Sequence, residues 1–598
     1  MSTTEKIELL AAKSNEFKAY DAKEMVDLCT ELLHNFRTRS DEWSDAGSWR
    51  LKDIQVQELY QETQSEPLSK AAVLALSSAR QQMSSTFSPF VNTCLESYNY
   101  EAGITTKKPE LLSKVTKKTM QDGSDRVYSV HGPVSSGVPG NTFELYTLPL
   151  KEGTPKKELS TTKPGSICVV LGAGNQPSLT LFDILQRTLV HKEVVLAKHN
   201  PLRAHCFAPY SIILEPLIQR GFLVQIRDKG IPATQKILSH PSVGHVHITG
   251  ALATEKAVRV TIAKSNPQLS TEDVEAMITS ELGASTPFIL TDGEYSENEI
   301  MHAARLAVFG KKMNGGCNCL DTQVIVLSKE WKQKNQFRKA LYDELKRQPN
   351  QPSYYPGSRQ RAKDMVQVYK ALGEDRVKVI ACETTTGAVN KESDNVTVVE
   401  CGSPGEADYN DSAIKREAFG PILSIVELPV AADVKGYLNS VAVPFINSKK
   451  NIFGSLSMCL LAPGTFDAKE LDRAVESIEY GSIGVNTMNF LGWLSAIRGG
   501  VWCAHPSAPG RESGAGYCGN QFRVEAPAKS VVRGPALDKK PAFDGASPPP
   551  KVLIDAMYTM DTSRTTLGGI IRILYLFFIT LLKAVLAPLT PAMKIKME

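Results

Sequence analysis

The chain has 598 residues, with 42% hydrophobic and 22% charged side chains and a formal net charge of +4. This length predicts two or more packed units, and the small net charge without a basic, aromatic-rich run excludes a nucleic-acid-binding class. Eleven cysteines occur without a CxxC pair. Such usage is typical of a reducing compartment and predicts neither a disulfide framework nor a structural metal site.

The first quarter of the chain divides into two predicted parts. Residues 1–125 are expected to be helical, because apolar residues recur there at helical spacing with charges between them. Residues 126–150 instead alternate in polarity and contain turn residues. That pattern predicts a pair of strands or an arm.

From Ser166 onward, short apolar runs alternate with helical segments. Strands are expected at 167–171, 193–198, 222–226 and 244–248, with helices at 178–190 and 202–220 between them. Buried strands alternating with helices predict a parallel sheet that is covered on both faces. The first and fourth strands end in glycine-containing turns, where a dinucleotide is expected to bind.

A second α/β unit is predicted from 281 to 490. It contains the sequence Asn-Gly-Gly-Cys-Asn-Cys at 314–319, downstream of Glu281. A thiol can attack a carbonyl carbon, and a carboxylate can activate that thiol or a water. The alternative interpretation is that Cys317 and Cys319 are small buried residues beside a turn, as most unpaired cysteines are.

The C-terminal part of the chain predicts a linker followed by a hydrophobic helix. Residues 534–566 begin with a stretch rich in proline and glycine, and 567–590 are about as long as a membrane span. Arg572 and Lys583 flank an uncharged run and fall on one face of a helix. Two cations on one stripe fit an interfacial helix, or a span with snorkelling ends, better than a core helix.

Six motifs in this order resemble the aldehyde dehydrogenase superfamily, over about residues 60–533. They are the turn with Asn175, the strand ending in Lys198, the Thr249-Gly250 turn, the Glu281-Leu-Gly segment, the loop with Cys319, and the segment with Glu417 and Phe419. The resemblance implies an α/β fold of that family, with a Rossmann-type cofactor domain, an α/β catalytic domain, a small oligomerisation arm and a C-terminal hydrophobic helix. The implied units are 1–125, the helical N-terminal part of the cofactor domain; 126–150, the arm; 151–280, the dinucleotide-binding domain; 281–490, the catalytic domain; 491–533, a return segment with an oligomerisation strand; 534–566, the linker; and 567–590, a membrane anchor.

The resemblance also implies a role for each of these residues. Cys319 would attack an aldehyde, Asn175 and the backbone N–H of Cys319 would hold the oxyanion, and Glu281 would activate the hydrolytic water. The cofactor, NAD or NADP, would be held by Lys198, Thr249, Gly250, Glu417 and Phe419. Each side chain also has an ordinary structural alternative, such as shaping a turn, capping a helix or ending a strand in solvent.

Three departures from the family pattern bear on these roles. An acidic residue is missing after Lys198, so His199, Asn200 and Arg203 could favour a 2′-phosphate. Ala251 and Glu255 follow the Thr249-Gly250 turn, and a carboxylate there would repel a pyrophosphate. The third departure is a lengthened segment with residues expected to reshape the substrate entrance: Trp493, Trp502 and His505.

The favoured function is oxidation of a lipophilic, long-chain aldehyde to its acid, because a similar C-terminal anchor occurs in fatty aldehyde dehydrogenases. The alternatives are an acyl-CoA or acyl-thioester reductase on the same fold, and an inactive scaffold. A membrane-associated homodimer is expected, with its catalytic domain facing the cytoplasm. Removal of 552–598 is expected to release it from membranes.

Overall fold

The computed structural model describes residues 1–61, 70–119, 127–149, 165–383, 392–508, 510–539, 551–563 and 565–586. The start of the predicted dinucleotide-binding domain at 151–164, linker residues 540–550, and anchor residues 587–590 lie outside this part of the chain.

The N-terminal part is helical, as predicted, up to about residue 113. Ser2 and Asp21 each start a helix with a capping box, in which the side chain accepts from a backbone N–H and a glutamate three residues on returns the contact. Phe17 stacks on Phe222, at 4.1 Å between ring centroids, which joins these helices to the first sheet. The helices are α1 (Thr3–Lys18), α2 (Ala22–Thr38), α3 (Ser40–Asp45), α4 (Ile54–Gln61), α5 (Lys70–Glu101) and α6 (Glu110–Ser113).

Three strands follow, one of which begins earlier than expected. The predicted helical stretch ends in a strand because Val115 and the threonines after it are β-branched and favour extended backbone. The prediction of helix up to residue 125 was therefore wrong for these residues. The strands are β1 (Val115–Thr119), β2 (Val127–Ser135) and β3 (Thr142–Thr147).

The next unit has the predicted alternation of strands and helices. The expected helix at 202–220 is broken into three pieces, because Pro209 and Pro216 each lack the N–H that a continuous helix requires. The elements are β4 (Ile167–Leu171), α7 (Leu179–Leu185), β5 (Val195–Lys198), α8 (Phe207–Ile213), α9 (Glu215–Gln219), β6 (Leu223–Ile226), α10 (Ile231–Leu238), β7 (Val243–Thr249), α11 (Leu252–Ser265), α12 (Thr271–Ala276) and β8 (Ile278–Glu281).

The second α/β unit and the return segment complete the body. Their elements are β9 (Thr286–Leu290), α13 (Glu297–Lys312), β10 (Thr322–Ser328), α14 (Lys334–Arg347), α15 (Ser358–Lys370), β11 (Val377–Ile380), β12 (Val396–Gly402), β13 (Ile422–Leu428), α16 (Val443–Asn447), β14 (Ser457–Leu461), α17 (Ala468–Ser477), β15 (Ser482–Val485), α18 (Phe490–Ala496), β16 (Val501–Cys503), β17 (Gly514–Ala515), β18 (Tyr517–Gly519) and β19 (Pro527–Arg533). Short 3-10 or π turns lie at Ala46–Lys52, Gln186–Val190, Pro201–Cys206, Met313–Gly316, Glu374–Arg376, Glu392–Asp394 and Leu438–Ala442.

Two sheets carry the architecture. The first has the order β17-β8-β7-β4-β5-β6, parallel except for β17. The second has 11 strands in the order β1-β2-β3-β19-β15-β14-β9-β10-β13-β12-β11. The predicted arm strands therefore pair with β19, which joins β15 of the same chain. The expected homodimer stays a prediction.

The C-terminal tail consists of α19 (Lys551–Thr562) and α20 (Thr566–Leu586). Part of the predicted linker is thus a packed helix, because Asp555 pairs with Arg80 at 3.0 Å and the ring of Tyr558 lies edge-on to Trp43. Within the described residues, no helix combines the length and apolar composition needed to cross a membrane.

Candidate active site

Residues 314–319, called the nucleophile loop below after the role predicted for Cys319, make a sharp turn just before β10. Asn314, Gly315 and Gly316 have φ values of 55°, 62° and 74°, three left-handed residues in succession. A Cβ on Gly315 would lie 2.1 Å from the carbonyl oxygen of Pro352, and one on Gly316 would lie 2.5 Å from that of Gly420. Only glycine fits both positions, and the turn leaves Cys319 partly exposed while Cys317 is buried.

Glu281, the last residue of β8, reaches this thiol. The Sγ of Cys319 lies 3.3 Å from the Oε1 of Glu281 and donates to it. Burial, with the charge of Asp183 adding to it, raises the pKa of Glu281 to about 7. Burial and Glu281 together raise the pKa of the Cys319 thiol well above its usual range. The resting thiol is therefore neutral, and its neighbour is a carboxyl group that can accept its proton near neutral pH.

The turn after β4 is fastened to the nucleophile loop. The side-chain Nδ2 of Asn175 donates to the carbonyl oxygen of Cys317 at 3.1 Å. The carbonyl oxygen of Asn175 in turn accepts from Asn314 at 3.1 Å, from buried Arg203 at 2.8 Å, and from the hydroxyl of Tyr354. These bonds fix Asn175 beside the thiol. The side-chain amide of Asn175 has two N–H groups, and because only one is used in the bond to Cys317, the other is left to donate to a ligand.

Glu417 closes another side of the site. Its carboxylate packs directly on Gly283, where an added Cβ would lie 2.1 Å from Oε2. Burial raises the pKa of Glu417 to about 7. Its Oε1 is a buried atom without a hydrogen-bond partner in the described structure. A buried acceptor in this state fits a ligand hydroxyl, such as one from a ribose.

Phe419 follows in the same segment with a left-handed φ of 48°. Its ring lies edge-on to Tyr355 at 5.0 Å, and its carbonyl oxygen is 3.8 Å from the Sγ of Cys317. Two of the motif segments predicted from sequence are therefore in contact through backbone as well as side chains.

Thr249 and Gly250 end β7 beside Glu281. The N–H of Gly250 donates to the carbonyl oxygen of Glu281 at 3.0 Å, and α11 starts two residues later. The predicted repulsion by Glu255 is not what the structure shows. Its carboxylate is fully buried and paired with Arg259 at 2.7 Å and with Arg511 at 3.3 Å. The two arginines compensate the negative charge of Glu255, so this carboxylate would not repel a pyrophosphate.

Lys198 ends β5 and lies farther along the same sheet edge, where its Nζ is 2.9 Å from the Oδ2 of Asp228. The residues expected to favour a 2′-phosphate are engaged elsewhere. His199 bonds to Gln225 at 2.7 Å, and Asn200 accepts from a backbone N–H at the start of the next helix. Arg203 donates instead to the carbonyl oxygen of Asn175. The prediction that it helps to bind a 2′-phosphate was therefore wrong.

Two of the three residues predicted to shape an entrance are buried, and the third, Trp493, is half-buried. Trp502 and His505 are each 1% exposed, and Trp493 packs on Phe182 at 5.7 Å. The Trp502 indole interacts with Glu281 and lowers its pKa, against the larger effect of burial. Trp502 lies in the interior on β16, which pairs with β18.

Sequence reasoning missed Tyr354, Asp228 and Asp183, and it assigned Arg203 to a cofactor phosphate rather than to the Asn175 turn. Arg203 and Tyr354 hold the Asn175 carbonyl, and Asp228 holds Lys198. Asp183 offered a visible signal, since it is the one charged residue of the helix Leu179–Leu185. The others carry no local signal, because their partners lie far away in the chain.

Among the residues that the structure describes, two buried groups combine side chains of metal-ligand type with ligand atoms within 4.8 Å of one another: Cys168, Glu193 and His245, and Asp183, His247 and Cys518. In the first, Arg187 bonds to Glu193 at 2.6 Å and supplies the positive charge. In the second, His247 bonds to Asp183 at 3.2 Å. Both groups therefore have protein hydrogen-bond partners.

Comparisons with known proteins show which family and which solved folds this chain resembles. The model of the aldehyde dehydrogenase family matches residues 141–523. Aldehyde dehydrogenase family 3 member A2 of Rattus norvegicus is 21% identical over 394 residues, which cover 63% of this chain and 75% of that protein. Lactaldehyde dehydrogenase from Escherichia coli has a similar fold, with a TM-score of 0.54 and 16% identity over 89% of this chain and 91% of the other. The NADP-dependent glyceraldehyde-3-phosphate dehydrogenase from Bacillus halodurans, complexed with NADP, gives a TM-score of 0.52 and 14% identity over 88% and 90%.

The family match over residues 141–523 defines the class of this protein as an aldehyde oxidoreductase. The chain belongs to the aldehyde dehydrogenase family, because the family model covers more than half of it. Its cofactor is accordingly NAD or NADP.

Proposed function

We propose that this aldehyde dehydrogenase oxidises a lipophilic, long-chain aldehyde to its carboxylic acid, with Cys319 as nucleophile and Glu281 as base. The observation that carries the chemistry is the 3.3 Å contact between the Cys319 sulfur and the Glu281 carboxylate. Cys317, in the same loop, donates instead to the backbone carbonyl oxygens of Gly315 and Phe419. The pairing fits an activated thiol.

The first step uses the neighbours of the thiol. Cys319 attacks the aldehyde carbon while its proton passes to the ionised Glu281, and the carbonyl oxygen becomes an oxyanion. The free amide N–H of Asn175 and the backbone N–H of Cys319 donate to that oxygen, which is where donors lower the barrier most. The product is a thiohemiacetal on Cys319.

The second step releases the acid. When NAD or NADP is bound, it supplies the hydride acceptor, and a thioester is left on Cys319. Glu281, ionised again, removes a proton from a water that attacks the thioester carbon. The carbon–sulfur bond breaks, the acid leaves, and Cys319 recovers its thiol. Water, aldehyde and oxidised cofactor thus give acid, reduced cofactor and one proton.

Cofactor binding is assigned to the loops at the same sheet edge. Glu417, with its unpartnered Oε1, would accept from the ribose nearer the thiol, and Lys198 would donate to the other ribose. The start of α11 beyond Gly250 presents unpaired N–H groups, because the cap residue Ala251 makes no side-chain bond to them. Phe419 would border the nicotinamide end. The buried, ion-paired state of Glu255 supports this placement.

The lipophilic substrate is inferred from the tail. The described part of α20 exposes large apolar side chains over 45% to 68% of their surface: Leu567, Ile570, Ile571, Leu574, Tyr575, Phe577 and Phe578. Burying each such side chain contributes roughly 1.5–3 kcal/mol. A run of this kind is rarely left in water and fits an interfacial helix. We place it on a membrane surface with the catalytic unit on the cytoplasmic side.

The substrate is tested with purified full-length protein. We expect decanal to reduce NAD or NADP, followed by the absorbance of the reduced nicotinamide. Decanoyl-CoA with NADPH is the parallel reaction, and oxidation of NADPH only there would replace the proposal by an acyl-thioester reductase. Folded protein inactive with both substrates would replace it by a scaffold function.

The tail is tested by deletion. The predicted cut at residue 552 would also remove most of α19, whose Ile554 and Tyr558 are buried against the N-terminal helices, so the cut belongs after Ser563. Deletion of 564–598 is expected to move the protein from the membrane pellet to the supernatant and to preserve decanal oxidation. The paired substitution Leu574→Glu with Phe578→Glu in the full chain should have the same effect. Pelleting of both variants at the wild-type level would contradict the membrane role.

A further inference from the structure

A row of buried polar side chains runs along one face of the six-stranded sheet, starting next to the catalytic base. It comprises Asp183, Thr249, His247, Thr279, His245 and Glu193, and is called the polar ladder below. All of these except the half-buried Thr279 are less than 9% exposed. Buried polar groups cost free energy unless they are bonded, so such a row in a sheet core requires a physical reason.

The ladder arises from strand register. His245, His247 and Thr249 alternate along β7 and therefore share one face of the sheet. Thr249 is the direct partner of Glu281 on β8, and His247 is the partner of Thr279. Glu281 is thus the last member of the same face. The catalytic base and the ladder are adjacent because of the pairing of two strands.

Hydrogen bonds connect the ladder from end to end. Asp183 Oδ2 accepts from Thr249 Oγ1 at 3.0 Å, and its Oδ1 bonds to His247 Nε2 at 3.2 Å. His247 Nδ1 and His245 Nε2 lie 2.8 Å and 2.9 Å from Thr279 Oγ1. Each carboxylate oxygen of Asp183 therefore has a partner, and its position on α7 is fixed.

The far end of the ladder is closed by an ion pair. Arg187 reaches Glu193 with its Nε at 2.6 Å and His245 with its Nη2 at 2.6 Å. Burial would raise the pKa of Glu193, but the guanidinium outweighs it and lowers that pKa below the usual range. Burial and the charge of Arg187 lower the pKa of His245 to about 4, so this histidine is neutral. The negative charge of Glu193 is therefore compensated by Arg187. Asp183 is the other carboxylate of the ladder, and it lies at the end next to Glu281.

We propose that Asp183, held by Thr249 and His247, is a positioning residue for Glu281: its fixed negative charge makes Glu281 a stronger base for the proton of Cys319 and of the hydrolytic water. The inference rests on the proposed role of Glu281. The inference adds Asp183, on α7, to the site. It also explains why the polar ladder is retained in the core, since the ladder holds Asp183 in place.

The other groups that face Glu281 are distinguishable from Asp183. Cys319 on the nucleophile loop donates to Glu281, and the charge of Glu417 acts on that thiol, whose pKa it helps to raise. Cys518 on β18 is buried, and burial raises the pKa of its thiol well above the usual range, so it is neutral. His247 contacts Asp183 rather than Glu281. Substitution of Asp183 can therefore separate its effect on the basicity of Glu281 from the effects of these other groups.

The test measures alkylation of Cys319 by iodoacetamide as a function of pH, followed by mass spectrometry of the Cys319 peptide. In the wild-type protein the rate should rise with a midpoint near pH 7, as Glu281 ionises and accepts the thiol proton. Asp183→Asn should move this midpoint to lower pH by about half a unit or more, since a nearby like charge has been removed. Asp183→Glu retains the charge and should keep the midpoint near that of the wild type.

The controls make the outcome decisive. Asp375→Asn alters an exposed aspartate beside β11 in the other sheet and should leave the midpoint unchanged. An unchanged midpoint in folded Asp183→Asn would overturn the inference, as would an equal shift in Asp183→Glu, because packing rather than charge would then be responsible. The reagent needs neither aldehyde nor cofactor, so a failure of the substrate assignment would show only in the decanal assay.

Discussion

Cys319→Ser is expected to lower aldehyde-dependent cofactor reduction by at least ~10⁴-fold, because removing a nucleophile eliminates the covalent route. A serine hydroxyl beside a carboxyl group with a pKa near 7 is a far poorer nucleophile than the thiol. The measurement is kcat/KM with decanal, together with binding of the reduced cofactor, which should be unchanged.

The matched control for this prediction is Cys317→Ser. Cys317 lies two residues earlier in the same loop, but it is buried, and its sulfur faces the carbonyl oxygens of Gly315 and Phe419. We expect activity within a few-fold of the wild type and a modest loss of thermal stability. Retained activity in Cys319→Ser, with loss in a folded Cys317→Ser, would assign the nucleophile to the other cysteine.

Glu281→Gln is expected to lower kcat by roughly 10²–10⁴-fold, since the amide cannot accept a proton from the thiol or from water. Turnover should stall after hydride transfer, so an acyl group should accumulate on Cys319 and appear in the intact mass of the protein. The wild-type rate should rise through about pH 7 as Glu281 ionises, and this limb should be absent from the variant.

The same substitution has a stability signature whose sign follows from the raised pKa. Glu281 has a folded-state pKa of about 7 against an ordinary value of 4.5. Its contribution to stability is therefore complete below the unfolded pKa and is lost as the pH rises through about 7, which costs on the order of 3 kcal/mol. Glu281→Gln should raise the apparent Tm at pH 8.5 and leave it nearly unchanged at pH 5.

Glu417→Gln separates this stability effect from catalysis. Burial also raises the pKa of Glu417 to about 7, so this variant should gain stability at high pH in the same way. Its expected kinetic defect is a higher KM for the cofactor, without an accumulated acyl-enzyme. An acyl adduct in Glu417→Gln but not in Glu281→Gln would exchange the two roles.

Much of the architecture follows from local patterns that are visible in the chain itself. The apolar run 167–171 and the strands after it predict a parallel sheet, and the structure confirms them because such runs are stable only when buried on both faces. The capping signals at Ser2 and Asp21 likewise act within one turn of helix. The order of the motifs predicted the family, and Cys319 with Glu281 as the pair to examine.

Tertiary structure alone decided the features that depend on distant contacts. Burial of Glu255 between Arg259 and Arg511, diversion of Arg203 to the Asn175 turn, and placement of Asp183 beside Glu281 each join segments far apart in sequence. The packing of α19 against the N-terminal helices likewise joins segments far apart in sequence. The periodicity of the sequence predicts which face of a helix or strand is apolar. It does not predict which charged side chains become buried or which side chains they contact there. That depends on strand register and on the crossing of helices, and these set the basicity of Glu281, the proposed catalytic base.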